Sequence, residues 1–333
     1  MTGYQRIMNA IRGQQVDQTP VWPFVMMFAA NYTSTPYGKF SSDYREMAAS
    51  LIRTAQDFQL DAVTVDSDAY REASACGAVL DFPEDGLPIV RKNAIEDRSA
   101  FRFPYIRIEE AERLMDKIEG VSAVKRYFGE EKAVCGWVEA PLQCAGTLYG
   151  MEDYLSDIFE EPEFIKDLLE YVTEMNIRFA RLQVEAGADI IGIGDAMATL
   201  VSPSIYEEYF LPYTRRLVQE IKKDHDVMLK YHICGNSGHL LRFAEEIGFD
   251  IVNIDYLVDY PSAVEAVHGN ICLKGNMNPV TLLRQSPEVI TEEARKLLDV
   301  GYERFILSPG CEVGRDTPWE NMHAFVNSVK QRS

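Results

Sequence analysis

The strongest constraint in this chain is a rhythm. Short apolar runs that do not alternate with polar residues recur along it, each followed by a segment whose apolar positions fall three and four apart. A run that is apolar on both faces must be buried on both faces, as in a parallel sheet covered by helices. Eight such runs read as strands, at 20–27, 62–68, 133–142, 189–196, 227–235, 251–256, 271–279 and 305–313. The segment 162–186 carries Phe164, Leu168, Leu169, Val172 and Met175 on one stripe, which predicts a helix. A second helix is predicted over 204–223, entered through Ser202-Pro203-Ser204, where serine suits a cap and proline the first turn. A third, over 318–330, closes the chain behind Thr317 as cap. Eight strands alternating with helices over 333 residues fit a closed (β/α)8 TIM barrel in a single domain spanning 1–333. The alternative is an open doubly wound sheet, and no GxGxxG turn supports it. Only the stretch 81–132 breaks the rhythm. It is rich in Asp, Glu and Arg, contains Pro-Glu-Asp-Gly-Leu-Pro, and reads as a polar insertion.

Charge narrows the range of function. A formal net charge of −19 argues against nucleic acid, whose phosphates need Lys and Arg to displace counterions, and disfavours anionic membranes. No run of about eighteen apolar residues suggests a transmembrane helix. The opening residues lack the apolar stretch of a signal peptide and predict an amphipathic helix, so a cytoplasmic location is expected. The six cysteines are too sparse for a disulfide framework, and in a reducing compartment they are packing residues or metal ligands.

In such a barrel the active site lies at the C-terminal ends of the strands, where the loops converge. The predicted ends carry Asp66, Ser67 and Asp68; then Glu139; then Asp195; then His232 and Cys234. After these come Asp255, then Asn276 and Asn278, and finally Cys311 with Glu312. Any one of these residues is equally suited to capping the next helix. The sharpest signal is Tyr-His-Ile-Cys-Gly followed by Ser-Pro-Gly-Cys-Glu. Residues i and i+2 of a strand share a face, so His232 and Cys234 point the same way while Ile233 points into packing. One imidazole and two thiolates make a zinc set, and three protein ligands leave a fourth place open for substrate, as in catalytic sites. The alternative is that His232 is a core histidine and both cysteines are buried apolar residues. Asp255 or Glu312 is a candidate fourth ligand. Cys135 and Cys272 sit inside apolar strands and are expected to pack, and nothing pairs with Cys76 or Cys144. His225, His239, His268 and His323 read as surface or helix-end residues.

At these residues the chain resembles the uroporphyrinogen decarboxylase superfamily, and within it the zinc- and corrinoid-dependent methyltransferases of the methylcobamide:coenzyme M type. The likeness runs nearly the whole length. It covers RIMNAIRGQQVDQTPVWP at the start, GADIIGIGDA, VSPSIYEEYFLPYTRRLVQEI, YHICGN, LKGNMNP and the closing SPGCEVGRDTPWENMHAFV. The resemblance implies that His232, Cys234 and Cys311 are zinc ligands, with Asp255 or Glu312 a replaceable ligand or base. Glu139, Asp195 and Asn276 are then expected to orient substrate and to hydrogen-bond the second nitrogen of the histidine, with Asn278 beside Asn276 as a cofactor-side residue. Asp68 and Glu72 fall near the acidic position of the superfamily after the second strand. The resemblance also implies a corrinoid presented by a separate corrinoid-binding protein, and a small methyl acceptor or donor. Coenzyme M, tetrahydrofolate, another thiol, and methoxylated or methylamine-type compounds all remain open. Arg71, Lys230 and Lys274 are the candidate cations for a sulfonate tail. The decarboxylase branch carries an arginine-rich RQAGRY stretch after the first strand, whereas this chain has MMFAANYTSTPYGK there, without arginine. A tetrapyrrole with many carboxylates needs cations to be buried, so porphyrinogen decarboxylation is the runner-up. A scaffold holding structural zinc would need a fourth tight ligand.

Overall fold

Seven of the eight predicted strands form ladders in one parallel sheet. In chain order the strands are β1 (Ala62–Thr64), a separate antiparallel hairpin of β2 (Val79–Asp81) and β3 (Ile89–Lys92), β4 (Ala133–Glu139), β5 (Ile190–Gly194), β6 (Met228–Ile233), β7 (Ile251–Ile254), β8 (Cys272–Met277) and β9 (Phe305–Pro309). The large sheet runs β1-β4-β5-β6-β7-β8-β9 with every neighbouring pair parallel. This is a computed structural model, and it describes residues 1–267 and 269–332, with 331 and 332 through their backbone only. The surface placement expected for His268 lies outside the described residues.

The first predicted strand differs from expectation. Residues 20–27 make only two isolated bridges, Val21 with Leu307 and Phe24 with Glu312, and a helix (Met27–Tyr32) starts at its last position. Pro20 and Pro23 lack the N–H that a continuous ladder requires. The segment still closes the ring. Trp22 N–H donates to the Leu307 carbonyl and Leu307 N–H to that of Pro20, while on the other side Asp61 N–H donates to the Val21 carbonyl. The result is a (β/α)8 barrel with one irregular stave.

The opening segment folds as the predicted amphipathic helix, Gly3–Arg12, with a Thr2–Gln5 capping box and Gly13 in the left-handed conformation at its end. Its buried Ile7, Met8, Ala10 and Ile11 pack with Trp22, Ala62, Ala133, Ile190 and Ile251, plugging the barrel at the N-terminal ends of the strands. Gly3 is needed there, because a Cβ would stand 2.7 Å from the Asp61 carbonyl. The helix predicted over 204–223 appears as Pro203–Ile205, a π-helical turn Tyr206–Phe210, and Leu211–Asp224. Pro212 removes an amide from the α-helical ladder, and the ladder widens just before it.

The polar stretch 81–132 divides in two. Its first part is the β2–β3 hairpin and the irregular chain after it, but Glu112–Phe128 is a helix that buries Leu114, Ile118, Val121, Val124 and Phe128. The charges that made this helix look like an excursion face the loop after β1. Arg113 meets Asp68 at 2.7 Å, Asp116 meets Arg71 at 2.8 Å, and Lys117 meets Asp66 at 2.5 Å.

One of these pairs fixes an acid dependence. Burial by itself raises the Asp68 carboxyl, but Arg113, aided by Arg71 and Ser67, outweighs it and holds the group at about 2. A depressed folded-state pKa gives stability that is present above the ordinary carboxylate value and lost as pH falls towards the folded one. Asp68→Asn is therefore expected to lower stability by about 2 kcal/mol at neutral pH, and the deficit should shrink as pH drops from about 4 to about 2. Urea unfolding of both proteins across that range checks it. A deficit that stays constant with pH would contradict the ion-pair origin.

Candidate metal centre

β6 presents His232 inward, and Cys234 follows just past the end of that strand. Cys311 lies two residues beyond the end of β9. Two strands separate β6 from β9 in the sheet, yet closure of the barrel brings the three side chains together. Cys234 Sγ lies 3.3 Å from His232 Nε2 and 3.6 Å from Cys311 Sγ, and Cys311 Sγ lies 3.9 Å from His232 Nε2. The three donor atoms lie within 4.8 Å of one another and form a group able to hold a metal ion. A tetrahedral zinc with bonds of about 2.0–2.1 Å to nitrogen and about 2.3 Å to sulfur has N–S and S–S edges of roughly 3.6 and 3.8 Å. The donors therefore already stand at the spacing such an ion requires.

The thiols behave as one unit. Cys311 is pulled down to about 4 by the hydrogen bond from Cys234 and by His232, while Cys234 is pushed far up by Cys311 and then by burial. Two sulfurs at contact share a single proton, and a divalent cation satisfies the same pair as two thiolates. Above the barrel floor, His232 is flanked by the stacked rings of Phe24 and Trp137, whose centroids lie 6.3 and 5.9 Å from the imidazole. Sequence reasoning missed both rings. Their signal was position, since Trp137 stands two residues before Glu139 on the same inward face.

The approach of β9 to β7 depends on Gly310. A Cβ there would stand 2.4 Å from the Tyr256 amide nitrogen and 2.9 Å from the Asp255 carbonyl carbon. No rotamer relieves a clash with backbone, so the loop carrying Cys311 must move. Gly310→Ala is expected to weaken zinc binding by about tenfold to a hundredfold, as misplacing a ligand does. Competition with a chromophoric chelator reads the change, and unchanged affinity would show that the cluster tolerates the shift.

The remaining predicted site residues are more dispersed. Asp255 is buried, accepts from the Leu257 amide, and raises Cys234 through its charge, but it does not join the close donor group. Glu312 accepts from the Met27 amide at 2.7 Å, and burial pushes its carboxyl up to about 7. Glu139 accepts from the Trp137 indole N–H in the space left by Gly194. Burial, then the neighbouring Glu72 and Asp66, push its carboxyl far up. Asp195 accepts from the Tyr231 hydroxyl at 2.6 Å, and Tyr231, adjacent to His232 on the strand, faces away from it. The Asn276 amide donates to the Asp255 and Val258 carbonyls and holds that turn, and Asn278 caps the helix Pro279–Arg284. None of Glu139, Asp195 and Asn276 hydrogen-bonds the imidazole through its side chain. His232 Nδ1 is buried with no partner among the described residues, so the expected support of the second nitrogen is absent. Arg71 is fully buried and engaged with Asp116, Ser67 and backbone carbonyls, which leaves it unavailable to a substrate tail.

Clefts of about 580 Å³, between residues 13–16 and Tyr302, and about 530 Å³, beside Tyr44 and Arg113, open elsewhere. Neither borders the cluster, which is recognised by its donor geometry. Among the described residues no helix is long and apolar enough to cross a membrane.

Comparison with known proteins agrees with this architecture. The sequence model of a family described as "Uroporphyrinogen decarboxylase (URO-D)" matches residues 2–332. A methylcobamide:CoM methyltransferase, MtbA, of Methanosarcina acetivorans is 29% identical over 99% of both chains. A uroporphyrinogen decarboxylase of Trichodesmium erythraeum is 28% identical over 98% of this chain and 96% of that one. Among solved structures, a methyltransferase from Methanosarcina mazei superposes with a TM-score of 0.90 at 23% identity, covering 99% of both chains.

Proposed function

Because the chain belongs to the uroporphyrinogen decarboxylase family and is similar over nearly its whole length to both relatives above, we propose that it is a zinc-dependent methyltransferase of the corrinoid-linked kind. The proposed reaction moves a methyl group between a corrinoid carried by a separate protein and a thiol or other small acceptor. One observation carries this choice over decarboxylation: His232, Cys234 and Cys311 converge at zinc-binding distances on the catalytic end of the barrel. Residues 26–39, where the decarboxylase branch has its arginines, contain none.

Bound there, zinc supplies a Lewis acid that ionises a thiol at neutral pH and keeps it nucleophilic. The residues of the chain do the rest. Cys234 and Cys311 would hold the ion through two sulfurs and His232 through its Nε2, and three protein ligands would leave a place for the substrate. Phe24 and Trp137 flank His232 with apolar ring surface and would limit water on that side of the cluster. Asp255, close enough for its charge to act on Cys234, is the proposed exchangeable group at the fourth place, and Glu312 is the alternative. Exposed Leu200, Tyr256 and Leu257, on the loops after β5 and β7, rim the mouth and offer apolar contact to a docking corrinoid protein.

The test is an absorbance assay. Zinc-loaded protein is mixed with methylcobalamin and, in turn, 2-mercaptoethanesulfonate, 2-mercaptoethanol or tetrahydrofolate. Loss of the methylcobalamin band with at least one acceptor is expected. No demethylation with any of them, together with conversion of uroporphyrinogen, would return the chain to the decarboxylases.

A further inference from the structure

Directly beneath the cluster the barrel holds two buried lysines. Lys230 stands two residues before His232 on β6 and shares its inward face. It is 1% exposed, and its Nζ lies 4.5, 4.8 and 5.7 Å from the ring centroids of Trp22, Trp137 and Phe24. Among the described residues it neither donates a hydrogen bond nor meets a carboxylate. Lys274, on β8, is 0% exposed. Its Nζ donates to Asn253 Oδ1 at 2.7 Å and Ser308 Oγ at 2.8 Å, both neutral, and lies 5.3 Å from the Trp22 ring. Lys117, the other fully buried lysine, shows the usual arrangement, with Asp66 at 2.5 Å.

Two unpaired ammonium groups side by side in a protein interior are costly. Burial pushes the Lys274 amine down, and Lys230 beside it pushes it further. Aromatic faces stabilise the cation without neutralising it, so the cage leaves its field intact for a further anion. Cys135 and Asp66 act on Lys230 through their charge, but Asp66 is already paired with Lys117, and the anions left to the two lysines are the sulfurs above. Phe24 and Trp137, which face Lys230, are the same two rings that flank His232, so one pair of rings borders both the cation and the cluster. Cys311 is among the charges that act on Lys274.

We propose that Lys230 and Lys274 are positioning residues, counter-charges set beneath the cluster for the negative charge that builds when a substrate thiolate joins the two cysteinates. The inference rests on the zinc reading above. With the fourth place open, a divalent ion is balanced by Cys234 and Cys311, and a third thiolate, its proton released to solvent, makes the centre a net anion. At that moment the buried cations are no longer uncompensated. They act on affinity for the sulfur itself, whatever tail the thiol carries.

The test compares parent, Lys230→Met and Lys274→Met proteins loaded with zinc and titrated calorimetrically with 2-mercaptoethanol, whose tail is uncharged. Methionine fills the space without the charge, so each variant is expected to melt at or above the parent temperature, keep its zinc, and bind the thiol about tenfold more weakly. Stability and affinity moving in opposite directions is a result that a merely structural lysine does not give. Thiol affinity unchanged in both variants overturns the proposal. So does a loss confined to 2-mercaptoethanesulfonate, which would make the lysines tail contacts. Failure of both variants to fold would assign the residues to the fold and equally overturn it. A parent that takes up no zinc instead sinks the metal reading itself, and the two failures are thereby told apart.

Discussion

Cys311→Ser is expected to lose methyl transfer from methylcobalamin to a thiol by on the order of a thousandfold or more, in a chain that stays folded. A serine hydroxyl has nearly the shape of the thiol, so packing around the loop after β9 changes little. What changes is the donor. An alcohol does not ionise near neutral pH and is a poor soft ligand, so the cluster keeps one thiolate and one imidazole. Cys234→Ser should behave alike, because its sulfur lies 3.6 Å from that of Cys311 and 3.3 Å from His232 Nε2. Cys272→Ser is the control. That thiol is buried inside β8 among apolar neighbours and belongs to no donor group among the described residues. Its serine variant should keep the parent rate within a few fold. Equal losses at Cys272 and Cys311 would mean that serine harms the barrel in general and says nothing about a ligand.

The largest stability effect is expected at Lys117. Its Nζ meets Asp66 Oδ1 at 2.5 Å with both side chains buried, and its charge also lowers the carboxyls of Glu72 and Glu139. Lys117→Met leaves three buried acids without their cation. Breaking a buried pair from one side costs about 3–5 kcal/mol. The pH dependence follows from the sign. Removing the cation raises the folded-state pKa of Glu72 and Glu139 further, so the variant binds more protons folded than unfolded and loses stability as pH rises. The deficit should therefore be larger at pH 8 than at pH 5. Adding Asp66→Asn should recover part of it by removing one stranded charge. Chemical denaturation of the three proteins at both pH values measures this. A deficit below about 1 kcal/mol would show that the acids are already protonated without help from Lys117.

Strand positions in the barrel were legible because parallel strands are apolar on both faces and the ladder spares few polar residues. His232, Cys234 and Cys311 were legible for a related reason: the i, i+2 spacing and the strand-end positions translate directly into direction. Residues 20–24 were misjudged because the apolar pattern registers burial, and Pro20 and Pro23 withhold the amides that make a ladder. Glu112–Phe128 was hidden inside a polar stretch because its charges pair with the loop after β1, a contact visible only in three dimensions. The partners of Glu139, Asp195 and Asn276 were beyond reach for the same reason. A polar residue at a strand end is placed by the chain, but its hydrogen bonds are chosen by neighbours such as Trp137 and Tyr231. Lys230 and Lys274 were visible as cations, and only the fold shows that they face the barrel interior.

The zinc content of the protein decides the central claim most directly. Protein purified without added metal is analysed for bound elements, before and after reconstitution, beside Cys234→Ser and Cys311→Ser. One zinc per chain in the parent, lost from both variants while their circular dichroism and melting remain those of the parent, is the expected result. A parent that holds no zinc even after reconstitution, or variants that hold as much as the parent, would contradict a metal centre at His232, Cys234 and Cys311.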